Sequence, residues 1–128
     1  RDAGLSEATI SSYSMLDDDG LVKVHIPLAG AAALPEGAIA VSFRERSFDL
    51  RVTMASEGKL LRMRVPILLE EIDAPKCSCR KRPGKLVLVL AKAEPAKPWY
   101  ELRKTKGVGD TEFNKLVPNA GEEFVFTL

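Results

Sequence analysis

Long apolar runs, histidines and cysteines are all scarce in this chain of 128 residues. No stretch approaches the ~20 consecutive apolar residues that a membrane-crossing helix needs, so no membrane partner is expected. The single histidine, His25, limits acid–base chemistry to whatever could be assembled around it, and no Gly-x-Ser-x-Gly turn is present to expose a nucleophile. Only two cysteines occur, Cys77 and Cys79. They cannot close a zinc site, because a second Cys or His pair is missing. Residues one apart on an extended strand point the same way and do not bridge easily, so no disulfide is expected either. Reduced thiols fit a cytoplasmic or nuclear protein. The sequence therefore implies no cofactor, no metal and no enzyme.

Strong net charge is missing too. Lysine and arginine number 19 against 18 aspartates and glutamates, a net charge of +1, which gives no bulk attraction to nucleic acid. Locally the balance is uneven. Lys76, Arg80, Lys81, Arg82 and Lys85 form a basic stretch without an acid, whereas Asp110, Glu112, Glu122 and Glu123 face only Lys115 in the tail. Single-strand nucleic-acid binders interleave basic and aromatic residues, and here the aromatics nearby are Trp99 and Tyr100. A charged edge that discourages strand-to-strand aggregation, or a contact for an acidic protein, explains the basic stretch better. Asp17-Asp18-Asp19-Gly20 lacks the alternating ligand spacing of a calcium loop and reads as a hairpin turn. Glu70, Glu71 and Asp73 read as a solvated loop, and His25 as a solvated or edge position.

What the chain has in quantity is period-two alternation. At this size, with 29% charged and 45% apolar residues, a single domain with its own core is expected. A first strand is predicted over Thr9–Leu16. In the next, Val22, Val24, Ile26 and Leu28 share one face and Lys23, His25 and Pro27 the other; the proline suggests an edge strand or a bulge. Ile39, Val41 and Phe43 alternate up to Glu45-Arg46-Ser47, and Phe48, Leu50, Val52 and Met54 return. Leu61, Met63 and Val65 follow. A weaker strand over 72–80 holds both cysteines, and Lys85–Lys92 is the last strand of the set. The expectation is an all-β fold: a compact seven-stranded antiparallel β-sandwich, with the Phe124-Val125-Phe126 segment able to add an extra C-terminal strand. Residues 1–8 are expected to be a flexible lead-in, 9–104 the sandwich, and 105–128 an extension. The glycine-bearing linker Thr105–Asp110 could let that extension dock on its own chain or exchange into a neighbour, giving a monomer or a tail-exchanged dimer. The chain opens on Arg1 and is read as an excerpt or a processed form.

Three features carry a family resemblance: the run from Leu21 to Gly30, the hairpin from Phe43 to Leu50, and the apolar Lys85–Lys92 strand followed by Pro98-Trp99-Tyr100. Together they resemble the CS domain, an HSP20-like β-sandwich of co-chaperones and ubiquitin-ligase scaffolds, and within it the middle domain of the calcyclin-binding (Siah-interacting) type. Trp99 is read as a plug for one end of the sandwich, since its ring buries more area than any other side chain. Some CS co-chaperones carry, in the last strand, a lysine and two residues later a glutamate, both facing the ATPase domain of heat shock protein 90. Lys85 matches that lysine, but Val87 stands at the glutamate position and Val89 follows on the same side. The calcyclin-binding type continues into a charged tail, which the strand-like Phe124–Leu128 segment does not resemble.

The resemblance implies a non-enzymatic protein–protein interaction module, acting as a co-chaperone or ubiquitin-ligase scaffold. Its partners would be heat shock protein 90 or the Skp adaptor of ubiquitin ligases. The candidate contacts are Lys85, Val87 and Val89, with Lys23 and His25 on a second strand and a charged rim of Arg80, Lys81 and Arg82. The alternative is a holdase that takes unfolded clients on exposed apolar strands. The C-terminal segment is expected to cover the outward valines, unless a partner does.

Overall fold

The computed structural model describes residues 5–105, 111 and 113–128. Its strands are β1 (Ser6–Thr9), β2 (Ser14–Asp18), β3 (Leu21–Pro27), β4 (Ile39–Arg44), β5 (Ser47–Met54), β6 (Lys59–Val65), β7 (Ser78–Arg82), β8 (Lys85–Ala91) and β9 (Phe124–Thr127). Five of them form one sheet in the order β1-β6-β5-β4-β9, and four form the other in the order β2-β3-β8-β7. The fold is the expected all-β sandwich, with nine described strands where seven plus one optional strand were predicted. The linker residues 106–110, Glu112 and the first four residues lie outside the described set.

Alternation decides which side chains meet between the sheets. Val22, Val24 and Ile26 of β3 and Leu86, Leu88 and Leu90 of β8 are almost wholly closed to solvent. Ile39, Val41 and Phe43 of β4, Phe48, Leu50 and Val52 of β5, and Met63 and Val65 of β6 meet them from the five-stranded sheet. Cys77 and Cys79 join the same core. Trp99 and Leu102 close one end, at 3% and 2% exposure, so the tryptophan plugs the sandwich as read from the sequence.

Turn chemistry sets the registers. Asp19 and Gly20 both take positive φ, 46° and 83°, as a two-residue hairpin turn between β2 and β3 requires. Pro83-Gly84 turns β7 into β8, with Gly84 at φ 74°; proline presets the first position and glycine accepts the second. The β4–β5 hairpin is fastened from outside. Arg46 at its tip donates to the carbonyls of Leu68 (2.9 Å) and Leu69, and the Leu68 N–H answers to the Arg46 carbonyl at 2.7 Å.

Four expectations change. The single strand predicted over Thr9–Leu16 is two strands in different sheets. β1 pairs with β6 in parallel, Ser6 opposite Lys59, while β2 pairs antiparallel with β3, Ser14 opposite His25. Between them the chain crosses from one sheet to the other, and no uniform alternation marks the crossing. Ser6–Ala8, assigned to a flexible lead-in, is therefore laddered, its start held by the Ser6 N–H on the Gly58 carbonyl at 2.8 Å. Pro27 does not mark β3 as an edge: it sits at the strand's last residue, beyond the reach of β2, and β3 is interior. Finally, the strand predicted over 72–80 starts only at Ser78 and runs to Arg82, because Ala74–Lys76 coils into a 3-10 turn around Pro75, which has no N–H to give a ladder.

Two outcomes follow for stability and reactivity. Trp99→Ala should lower unfolding free energy by about 3–5 kcal/mol, read as a fall in the urea midpoint at unchanged slope. Burial pushes both thiols up to about 11, so Ellman's reagent should find neither in the native protein at pH 8 and both after denaturation. Rapid native labelling would show that the Cys77–Cys79 side of the core opens.

The outer face of the four-stranded sheet

The outward residues of β3, β8 and β7 are fixed by their ladders. Val87 lies between His25 on β3 and Arg80 on β7; Val89 lies between Lys23 and Ser78; Lys85 lies opposite Arg82. These side chains surround a shallow cavity of about 210 Å³ whose floor is the two valines. Of the candidate residues, the structure brings together Lys23, His25, Arg80, Arg82, Lys85, Val87 and Val89. Lys81 is elsewhere. It alternates to the other side of β7, opposite Leu86, and its Nζ donates to the Leu34 carbonyl at 3.0 Å.

Val87 and Val89 are only 7% and 6% exposed. The C-terminal segment does not cover them: β9 pairs with β4 at the edge of the opposite sheet, Phe124 against Phe43 and Phe126 against Val41. Phe124 and Phe126 pack on the core instead. The valines sit in an interior strand, Val87 flanked by His25 and Arg80 and Val89 by Lys23 and Ser78, and the long stems of Lys23 and Arg80 border them. The tail fills an edge that already offered unpaired backbone groups, a stronger demand than two branched side chains.

Among the described residues, one acid is ion-paired on this face. Asp18 pairs with Lys23 at 3.4 Å. Leu16, half exposed, lies opposite Lys23 and extends the apolar floor toward β2. No role was assigned to it from the sequence, although the two-residue Asp19-Gly20 turn alone sets Leu16 across from Lys23. Among the described residues, no cluster of three or more His, Cys, Asp or Glu side chains could hold a metal ion.

β2 is an edge strand, and Asp17 holds it in place. Oδ2 of Asp17 accepts the Trp99 backbone N–H at 2.9 Å, and Oδ1 accepts Lys92 Nζ at 2.9 Å. The side chain of Lys92 is 3% exposed, so this carboxylate is the counter-ion of a buried ammonium. The Trp99 N–H first, and then Lys92, hold the Asp17 carboxyl below its ordinary value of 3.8. Composition marked Asp17 only as a turn residue; its partners lie 75 and 82 positions away.

No family model matches the chain. Calcyclin-binding protein from Bos taurus is 38% identical over 86 residues, 66% of this chain and 37% of its own length. The proteins of that name from Rattus norvegicus and Homo sapiens are each 32% identical over 97 residues, 76% of this chain and 42% of theirs. The chain thus spans about two fifths of the length of the curated relatives it matches.

The Asp17 linkage has a definite sign. A depressed carboxyl pKa contributes stability that is full above the unfolded value and disappears as pH falls through the folded one. The Tm gap between wild type and Asp17→Asn should be constant above about pH 5 and narrow below pH 3.8. A gap independent of pH down to acid unfolding would show that the Asp17 charge does not hold Lys92 and Trp99.

Proposed function

Because this chain is a CS-type β-sandwich homologous to calcyclin-binding protein, we propose that it acts as a non-enzymatic docking module for other proteins. One observation carries this reading. Two nearly closed valines lie in a frame of Lys23, His25, Arg80, Arg82 and Lys85, on a rigid sheet, with Asp18 the acid paired on that face. Rigid apolar floor and cationic rim suit a partner that brings carboxylates around a small apolar centre, since complementary charge sets orientation and encounter rate.

The proposed partners are the ATPase domain of heat shock protein 90 or the Skp adaptor of ubiquitin ligases. Both come from the resemblance, and either would put the protein in the cytoplasm or nucleus. Val87 removes the glutamate that would answer a chaperone cation, so the chaperone contact would have to rest on acidic groups of the partner. A holdase role fits less well, because it needs bare apolar strands and the two valines are 7% and 6% exposed. Leu16 is the large apolar side chain left open at this face.

Amide NMR titrations with each partner test the proposal. Shifts should cluster at residues 85–89 and 23–25 with one of the two, and weaken as salt screens the rim. Charge reversal by Arg80→Glu with Arg82→Glu should lower affinity roughly tenfold or more, mainly by slowing association. Absence of clustered shifts with both partners at saturating concentration would exclude this role. Equal suppression of a test protein's aggregation by wild type and the charge-reversed variant would favour the holdase.

A further inference from the structure

The opposite outer face, on the five-stranded sheet, has a different electrostatic plan. Arg51 on β5 and Arg62 on β6 lie directly opposite each other, and Arg64 lies opposite Asp49. Like charges across a ladder repel, and Asp49 offsets this. Arg62 forks both its oxygens at 3.0 and 2.7 Å, and Arg51 reaches Oδ2 at 3.6 Å. The pairing with Asp49 is also what raises the Arg62 pKa most. Asp49 is thereby saturated by two guanidinium groups that are not its ladder neighbour. Arg64, exposed at the strand end, has no ion pair among the described residues.

On β4, Arg44 gives one nitrogen to the Gly121 carbonyl at 2.8 Å and meets Glu123 only at 3.9 Å. Glu123 is shared, since it also accepts from the Ser42 hydroxyl. Arg44, Arg62 and Arg64 converge on one polar cavity of about 210 Å³, which Ser47 and Asn119 also line. Its three guanidinium groups face two carboxylates, Asp49 and Glu123, both already engaged. With Arg51, which shares Asp49, and Glu7, which meets Arg62 at 4.0 Å, the network is four guanidinium groups against three carboxylates, so one positive charge is left over, with donors from both β4 and β6 at the cavity.

We propose that this cavity binds a phosphate-class oxyanion, with Arg64 and Arg44 as ligands and Asp49 positioning Arg62 behind them. A dianionic phosphate matches fork-shaped donors better than chloride does, because each guanidinium presents two parallel N–H groups to two oxygens. The same chemistry could come from free inorganic phosphate or from a phosphorylated serine on a partner chain. The site lies on the sheet opposite the docking face and does not depend on that reading.

The test is an NMR titration at constant ionic strength, following arginine Nε–H and backbone amide signals of the whole chain. Inorganic phosphate and N-acetyl-phosphoserine amide are added in parallel, with potassium chloride as the control. Saturable shifts at Arg44, Arg64 and Ser47 are expected with both phosphates and not with chloride. Arg64→Gln should raise the apparent Kd roughly tenfold or more, while Glu123→Gln, which removes a competing carboxylate, should lower it. Tighter binding of the phosphoserine compound would identify a phosphorylated side chain as the source, and equal binding the free ion. Shifts matched by chloride, or an Arg64→Gln variant that binds as wild type while its remaining spectrum is unchanged, would overturn the proposal.

Discussion

Leu86, Leu88 and Leu90 project from β8 into the core, while Val87 and Val89, on the other side of the same strand, are almost as closed. A strand buried on both faces must sit inside its sheet, with laddered neighbours on each side. β3 and β7 fill those places, and their outward residues become the walls around the valines. From that arrangement follow the basic frame, its apolar floor, and the rigidity of both. A docking surface built on interior strands does not have to be ordered when a partner arrives, so less of the interaction energy goes into ordering it.

The two sheets manage charge in opposite ways. On the four-stranded sheet, the rim cations stand around apolar side chains and, among the described residues, only Lys23 has a carboxylate, Asp18. On the five-stranded sheet, Asp49 draws Arg51 and Arg62 together and Glu123 meets Arg44, while Arg64 has no ion pair among the described residues. The first arrangement leaves charge facing outward for a second molecule. The second mostly neutralises itself and leaves a residue of positive charge at Arg64. A net charge near zero conceals both.

Asp17 links the core to the edge. Its carboxylate offsets the cost of burying the Lys92 ammonium at the end of β8 and fixes the backbone at Trp99, so the plug and the edge strand β2 are held by one side chain. The Trp99 indole Nε1 finds no partner among the described residues; the ring is held by packing and by its backbone. Leu16 and Ser14, which border the valine face of the four-stranded sheet, ride on the strand that Asp17 anchors.

Much of this was legible in the residue order, because alternation and turn chemistry act over a few residues. The β3, β4, β5, β6 and β8 faces and the Asp19-Gly20 and Pro83-Gly84 turns follow from period two and two-residue turns, whereas the meeting of Lys23 and His25 with Val87 and Val89 rests on the long-range pairing of β3 with β8. The likeness to the calcyclin-binding proteins was carried by these same local runs. What local pattern could not decide was which edge each strand would satisfy. That choice moved Ser6–Thr9 onto β6 in parallel and sent Phe124–Thr127 to β4 rather than over the valines; Lys81, by contrast, is turned away from Arg80 and Arg82 by plain alternation along β7. The sequence by itself determined the strands and the side chains each presents. Tertiary structure alone decided their neighbours, including the distant partners of Asp17 and Asp49, because backbone edges and buried charges are satisfied by whatever the fold brings within bonding distance.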